Sequence, residues 1–161
     1  MKKIVILLTC AVSLLASCKP NTELQKYYAS EASRLYKETS EVELFDSQWD
    51  YLDAMKNVIA YEVSMVLSPK IGKDLADWEI ERYSHWTERL KIEERYDKRP
   101  ELGSQGYENM LRLQKMYAYQ GMADVLKLYQ NRSNKSIGME YQEMCDQVIH
   151  EVLQKYPIFF T

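Results

Sequence analysis

Apolar residues recur every three or four positions along most of the chain. A turn of α-helix holds about 3.6 residues, so this spacing places apolar side chains on one face of each helix. Only 5 glycines and 4 prolines occur in the 161 residues, and most lie between the periodic stretches, where they end helices. The sequence therefore predicts an all-α protein, a single bundle of about five helices joined by short loops.

The residues at the helix ends set the expected boundaries of the first two helices. Thr22 with Gln25 is typical of a capping box and predicts the start of the first helix. Ser40 with Glu43 predicts the start of the second helix, and the Pro-Gly stretch at 68–72 predicts its end. The wide apolar stripe of this second helix predicts a central position with several neighbours.

Three further helices are predicted after this break. The third covers about 73–98, which is roughly 39 Å at 1.5 Å per residue. The fourth begins near Tyr107, and the fifth runs from about Ser136 to Tyr156. Gly121 stands on the apolar face of the fourth helix, where the missing side chain would let another backbone come close.

The first residues are typical of a secretion signal rather than of a folded element. Lys2 and Lys3 precede an apolar run at 4–15. The run is too short to cross a membrane, since a spanning helix needs about 20 apolar residues. The residues that end the run resemble the lipobox of bacterial lipoproteins, and they are Leu15, Ala16, Ser17 and Cys18.

This resemblance implies that the chain is cut between Ser17 and Cys18 and that Cys18 carries lipid. The sequence is then divided into a lipoprotein signal peptide at 1–17, a lipidated tether at 18–21 and a single helical domain at 22–161. Two or three acyl chains would hold the protein on a membrane durably, because one chain alone binds only marginally. The implied location is the bacterial cell envelope, and Lys19 favours the outer membrane over the inner.

The charge of the chain argues against a nucleic-acid partner. The net charge is −3, and loss of residues 1–17 would remove Lys2 and Lys3 and leave −5. Proteins that bind nucleic acid usually carry a basic surface that neutralises phosphates. We therefore expect the membrane as one partner, through the lipid, and a protein of the envelope as the other.

Cysteine use would leave a single thiol in the processed chain. Cys10 would leave with the signal peptide and Cys18 would be lipidated, so Cys145 could form no disulfide within the chain. Its apolar neighbours include Met144 and Val148. This environment predicts a buried, unreactive thiol.

Tyrosine is abundant, with 13 residues. Many lie on predicted helix faces together with core residues, which predicts packing in the core and at its edge. Tyrosine also suits wet interfaces and sugar stacking, because an apolar ring carries a polar hydroxyl. A surface that binds protein or glycan is therefore the alternative use.

The third predicted helix carries charged residues within its apolar face. Arg82 lies at the middle of that face, and buried charges are costly unless they are paired. One interpretation is a set of buried ion pairs between Arg82 and Glu79 or Glu62. The other is a candidate binding face for a protein partner, since Arg and Trp dominate binding hot spots. This face comprises Trp78, Arg82, His85, Trp86 and Arg89.

The sequence lacks the motifs of common catalytic and cofactor sites. It has no Gly-x-Ser-x-Gly turn and no glycine-rich phosphate loop. Ser84 and His85 are adjacent on a predicted helix and would point about 100° apart. Di-iron bundles use Glu-x-x-His, whereas Arg82 and Gln147 stand three residues before the two histidines. We therefore expect no enzyme activity, no metal and no cofactor.

The leading hypothesis is a lipid-anchored, non-enzymatic binding protein of the envelope, comparable to an inhibitor or immunity protein. The stretch with Trp78 four residues before Arg82 resembles the Trp-x-x-x-Arg region of periplasmic lysozyme-inhibitor domains. Tyr83 stands where that family has Asp, and the cysteines of the family are absent. One alternative is a structural or assembly lipoprotein. Another is an enzyme acting on envelope glycan or lipid, because 24 acidic residues could supply a pair of catalytic carboxylates.

Overall fold

The described part of the chain is helical. A computed structural model of the protein describes residues 21–39, 46–71, 104–133 and 135–156. These residues form four α-helices and no strand, with a short 3₁₀ turn, Met139–Tyr141, ahead of the last helix. We number the helices α1 (Glu23–Glu38), α2 (Asp46–Ile71), α3 (Gln105–Ser133) and α4 (Gln142–Lys155).

The prediction of an all-α fold is therefore confirmed for the described residues. The helix predicted at 73–98 lies outside them, so the count of five helices stays a prediction. The signal peptide and lipobox at 1–18 also lie outside the described residues.

Helices α1 and α3 lie side by side and run in opposite directions. Just before α1, the carbonyl of Asn21 accepts a hydrogen bond of 3.1 Å from Gln130 Nε2, near the end of α3. Further along α1, the ring centroids of Tyr28 and Tyr119 are 5.7 Å apart. Early residues of one helix thus meet late residues of the other, which defines an antiparallel pair.

Helices α2 and α3 run in the same direction. Leu52, early in α2, packs with Met110, early in α3. Further along both helices, Lys56 lies against Gly121. The chain consequently leaves α2 and enters α3 at opposite ends of the bundle, and the connection at 72–103 lies outside the described residues.

Helix α3 occupies the centre of the described bundle, because it packs against α1, α2 and α4. Among the described helices α2 packs mainly on α3 and less extensively on α4. Residues 40–45 and 72–103 lie outside the described part of the chain, so the central position of α2 stays a prediction. Two apolar residues of α2, Trp49 and Met65, are 40% and 47% exposed. The core draws on all four helices and includes Leu24, Tyr28, Met55, Ile59, Met122, Leu126, Val148 and Val152.

Gly121 is a point of close approach between α2 and α3. A Cβ atom at this position would lie 3.0 Å from Lys56 Cα and would collide with the Lys56 carbonyl oxygen. The prediction that the missing side chain admits another backbone is confirmed. The contact fixes the register of the two helices, because backbone can approach only where there is no side chain.

The start of α1 departs from the predicted capping box. Thr22 is the N-cap residue, but its side chain makes no capping hydrogen bond. Its backbone, at φ −114° and ψ 13°, is not in the extended conformation that an N-cap side chain usually requires. Asn21 serves instead, because its Oδ1 accepts a hydrogen bond of 2.9 Å from the Glu23 N–H.

Two further boundaries also differ from prediction. Helix α2 continues through Pro69 and ends at Ile71, because a proline so near the end removes a hydrogen bond only from the last turn. The helix expected from Ser136 begins as a 3₁₀ turn at Met139 and becomes α-helical at Gln142. Ser136 does not begin this helix. Its Oγ instead accepts a hydrogen bond of 2.7 Å from the backbone N–H of Asn21.

Candidate binding groove

The binding face predicted from the sequence lies outside the described residues. This holds for Trp78, Arg82, His85, Trp86 and Arg89, and for the ion-pair partner Glu79. Glu62, the other suggested partner, is described and is half-buried on α2. Neither interpretation of Arg82 is tested, and both stay predictions.

The described residues form a different site, a groove of about 380 Å³ where α1, α2 and α3 meet. We call it the three-helix groove. It is open to solvent and is bordered by side chains from all three helices. Its lining residues are Ala29, Ala32, Ser33 and Tyr36 of α1, Asp53 and Lys56 of α2, and Met116, Tyr117 and Gln120 of α3.

Small side chains on α1 create the space in this groove. Ala29, Ala32, Ser33 and Tyr36 stand at positions i, i+3, i+4 and i+7, so they share one face of the helix. The first three have little volume and leave a hollow where longer side chains would fill the space between helices. The fourth is large and stands at the solvent side of the groove, with 69% of its surface exposed.

Two oppositely charged side chains of α2 lie at the groove. Asp53 and Lys56 are three residues apart, which places them one helical turn from each other. Within the described residues no salt bridge involves either of them. Both charges are therefore available to a bound molecule, and the groove favours a ligand with donors and acceptors over one that is strongly cationic or anionic.

The Tyr117 hydroxyl is held in its protonated form. Burial, and then the negative charge of Asp53, raise the pKa of Tyr117 above its ordinary value. Among the described residues the Tyr117 side chain makes no hydrogen bond. It can consequently donate one to a ligand in the groove.

Gln120 is already engaged at the far side of the groove. Its Nε2 donates a hydrogen bond of 2.8 Å to Asp124 Oδ1, one turn further along α3. This bond orients the amide and leaves the side-chain oxygen of Gln120 as an acceptor. The groove therefore offers a carboxylate, an ammonium group, a phenol and an amide around a floor of small residues.

A second polar cluster, between α1 and α4, is buried and structural. The Tyr28 hydroxyl donates a hydrogen bond of 2.7 Å to Asp146 Oδ1 and lies 3.3 Å from the Gln142 carbonyl oxygen. Burial and the hydrogen bond to Asp146 raise the pKa of Tyr28 far above its ordinary value. Tyr28 is therefore un-ionised and links α1 to α4 through its hydroxyl group.

Cys145 belongs to the same cluster and is fully buried. Burial, and then the nearby Asp146, raise the pKa of its thiol to about 12. The thiolate is the reactive form of cysteine, so this thiol is poorly suited to nucleophilic chemistry. The sequence-based prediction of a buried thiol is confirmed.

Neither a metal cluster nor a membrane-spanning helix occurs in the described part of the chain. No group of three or more His, Cys, Asp or Glu side chains in 21–39, 46–71, 104–133 and 135–156 is arranged to hold a metal ion. His150 lies near Glu143 and Asp146 on an open surface of α4 without forming such a group. None of α1 to α4 combines the length and the apolar character needed to cross a bilayer.

Comparison of the chain with protein-family models, with curated proteins and with solved structures finds no match.

The three-helix groove is not predicted by the sequence. Ala29, Ala32 and Ser33 form a pattern of small residues on one face of α1, but this pattern alone does not predict a gap between helices. A gap between helices depends on which residues of α2 and α3 stand opposite them, and periodicity does not specify that register. The exposed Tyr36 beside three small residues was the only local indication of the groove.

Proposed function

We propose that the protein is a lipid-anchored binding protein of the bacterial cell envelope, and that the three-helix groove receives a segment of a partner protein. The lipobox resemblance at Cys18 supports the anchor. The groove supports the binding, and one observation carries it. Asp53, Lys56 and Tyr117 border a hollow floored by small residues, and none of their side chains makes a hydrogen bond or a salt bridge to another described residue.

The chemistry of the groove suits a polypeptide segment. A peptide presents donors and acceptors together, and the groove offers both charges together with a phenol and an amide. Its volume of about 380 Å³ lies at the lower end of the range for ligand pockets, which is enough for a few side chains. Tyr36 and Tyr117 supply aromatic surface that loses little conformational entropy on binding.

Binding is favoured over catalysis by the groups that the groove brings together. Its described lining contains one carboxylate, Asp53, whereas glycoside hydrolysis uses two facing carboxylates. The one described thiol, Cys145, is buried in the core rather than in the groove. All the polar groups sit on helices, which is the rigid support that a binding site needs.

Site-specific crosslinking tests the binding site. A photoreactive phenylalanine analogue replaces Gln120 in the groove or Gln147 on α4 as a matched control, in the full chain expressed in its own envelope. We expect a crosslinked partner band from position 120 and none from position 147. The proposal is wrong if the two positions give the same products.

Two pairs of variants then connect the crosslink to the groove. Tyr36→Ala and Asp53→Lys should each reduce the crosslinked band at least several-fold. The exposed residues Met65 and Glu143 provide controls of similar exposure or charge, and Met65→Ala and Glu143→Lys should leave the band unchanged. A band that survives both groove substitutions would move the partner to another surface.

The predicted binding face offers a second surface for the same partner. It comprises Trp78, Arg82, His85, Trp86 and Arg89, and the paired substitution Arg82→Ala and Trp86→Ala probes it. Loss of the partner with folding intact supports this face, and retention of the partner by the variant counts against it.

The anchor is tested separately from the groove. Mass spectrometry of the N-terminal peptide should find Cys18 acylated and residues 1–17 removed. Cys18→Ser should prevent both changes and release the helical domain from washed membranes. A Cys18→Ser protein that is processed normally and still sediments with membranes would disprove the anchor.

A further inference from the structure

Asn21, three residues after the proposed lipidation site, is built into one end of the bundle. The backbone N–H of Asn21 donates a hydrogen bond of 2.7 Å to Ser136 Oγ, and its carbonyl accepts one of 3.1 Å from Gln130 Nε2. Its side-chain oxygen accepts one of 2.9 Å from the Glu23 N–H. Asn21 is thereby fixed to α1, to α3 and to the loop before α4. We call this region, residues 21–26, 127–133 and 135–141, the Asn21 end.

The distance from this fixed point to the proposed lipid is short. Three Cα–Cα steps separate Cys18 from Asn21, which is at most about 11 Å in an extended chain. Each headgroup layer of a bilayer is about 5–8 Å thick, judged from a hydrocarbon core of about 30 Å within a total of 40–45 Å. A lipid on Cys18 would thus keep Asn21 at or just above the headgroups.

The charge of the Asn21 end suits an anionic membrane surface. Its exposed cations outnumber its carboxylates although the whole chain is acidic, with a net charge of −3. The cations are Lys26, Lys127, Arg132 and Lys135, and the carboxylates are Glu23 and Glu140. Met139, which is 38% exposed, adds an apolar side chain to the same end. Basic residues are attracted to anionic lipid headgroups, whereas Met139 itself lies beside Glu140 and Glu143.

We propose that the Asn21 end of the bundle lies against the lipid headgroups and that the bundle stands up from the bilayer with the three-helix groove held above it. This inference rests on the proposed lipid anchor at Cys18. The groove residues of α1, from Ala29 to Tyr36, lie 8 to 15 residues beyond Asn21. At 1.5 Å per residue they stand about 12–22 Å above that point. The groove would then open beyond the headgroups, where a partner protein can reach it.

Collision of a spin label with lipid-bound nickel measures this orientation. The acylated full chain carries a nitroxide at Met139→Cys or, as the control at the other end of α1, at Lys37→Cys. It is reconstituted into vesicles of phosphatidylethanolamine and phosphatidylglycerol that contain a nickel-chelating lipid. Cys145 is buried, so the parent protein should take up no label and the signal comes from the new cysteine.

We expect nickel to relax the label at position 139 several-fold more than the label at position 37. Equal relaxation, or stronger relaxation at 37, overturns the proposed orientation. Flotation of the vesicles and the mass of the N-terminal peptide are measured on the same samples. If the protein is not acylated and does not float with the vesicles, the proposed anchor is wrong. If it is acylated and floats, but nickel relaxes the two labels equally, only the proposed orientation is wrong.

A charge reversal tests the role of the basic residues. Lys135→Glu should lower the relaxation at position 139 in vesicles with phosphatidylglycerol and leave it unchanged in vesicles of phosphatidylcholine. Lys37→Glu, the same reversal at the opposite end of α1, should have no effect in either. Arg132→Glu repeats the test if circular dichroism shows that Lys135→Glu unfolds. If a folded variant shows the same relaxation at position 139 as the parent protein in vesicles with phosphatidylglycerol, the proposed headgroup contact is wrong.

Discussion

At the scale of single residues, Tyr28 shows how this bundle buries a polar group. The side chain has no exposed surface, and its hydroxyl reaches the carboxylate of Asp146 across the contact between α1 and α4. A buried hydroxyl without a partner would lose its hydration and gain nothing in return. The hydrogen bond therefore allows a large aromatic ring to fill the core while its polar atom is satisfied.

Removal of this hydroxyl should destabilise the fold. Tyr28→Phe keeps the ring but leaves Asp146 without its donor, so the free energy of unfolding should fall by about 1–3 kcal/mol. Urea denaturation followed by circular dichroism measures the change. Tyr36→Phe is the control, because that side chain is largely exposed and should shift stability by less than about 0.5 kcal/mol. Equal effects of the two substitutions would contradict the role given to Tyr28.

The buried thiol should make stability depend on pH in the alkaline range. Burial and Asp146 raise the pKa of Cys145 from 9.0 to about 12 in the folded protein. Above pH 9 the unfolded chain loses this proton while the folded protein keeps it, so the free energy of unfolding falls as pH rises from 9 to 12. Each unit of that interval corresponds to about 1.4 kcal/mol for one such group.

Cys145→Ala should therefore flatten the decline of stability between pH 9 and pH 12. Unfolding at several pH values compares this variant with the parent protein. Tyr28 and Tyr119, whose pKa values are also raised, leave a residual decline above pH 10 in both. Parallel curves for the two proteins would show that the thiol ionises alike in the folded and unfolded states.

At the scale of helices, the close contact of α2 and α3 at Gly121 controls how they pack. Gly121→Ala gains about 1 kcal/mol of helix propensity, but the added methyl group meets the backbone of Lys56 and forces the helices apart. Overpacking of this kind usually costs about 1–3 kcal/mol. We expect a net loss of stability by thermal unfolding. Lys127→Ala, on an exposed face of α3, should be nearly neutral, and a stabilised Gly121→Ala protein would contradict the contact.

The helices themselves could be predicted from sequence more reliably than their ends. In α1, Leu24 and Tyr28 follow the general apolar repeat that predicts helices, and burial of one face makes this pattern strong and regular. The capping box predicted at Thr22 was wrong, because the Asn21 side chain accepts a hydrogen bond from the backbone N–H of Glu23 at the start of α1. The late start of α4 could not be predicted, because Ser136 binds a residue 115 positions away.

The candidate site was less predictable than the fold, because it too depends on contacts between residues that are far apart in the chain. Gly121 was predicted correctly because a glycine in an apolar stripe has one simple physical meaning. The three-helix groove needs Ser33, Asp53 and Tyr117 to meet from three helices, and their meeting depends on helix direction and register. A single sequence contains no direct record of either.

At the scale of the whole molecule, the four described helices are joined at both ends of the bundle. At the Asn21 end, Asn21 connects α1 to α3 and to Ser136. Beyond the end of α4, the carbonyl of Tyr156 accepts hydrogen bonds from the Tyr51 hydroxyl and from Gln114 Nε2. These hydrogen bonds make the described helices one packed unit, so a constraint on the position of one end also restricts the position of all four helices.

A longer tether should release the proposed orientation without changing the fold. Insertion of a flexible Gly-Ser spacer after Lys19 leaves the hydrogen bonds of Asn21 in place, so thermal stability should not change. The Asn21 end would no longer be kept within about 11 Å of the lipid, and relaxation of a label at position 139 by nickel lipid should fall in phosphatidylcholine vesicles. Undiminished relaxation there would show that the tether does not set the orientation.

The hydrogen bonds of Asn21 also have a mechanical consequence. A pull on the N-terminal side of the chain does not reach α1 alone, because the load divides at Asn21 between Ser136 and Gln130. Helix α1 is thus shielded from being peeled off turn by turn, and the force passes into α3, the helix that the other three pack against. If the protein is anchored by its first residues, a pulling force is therefore resisted by the packing of the other helices around α3.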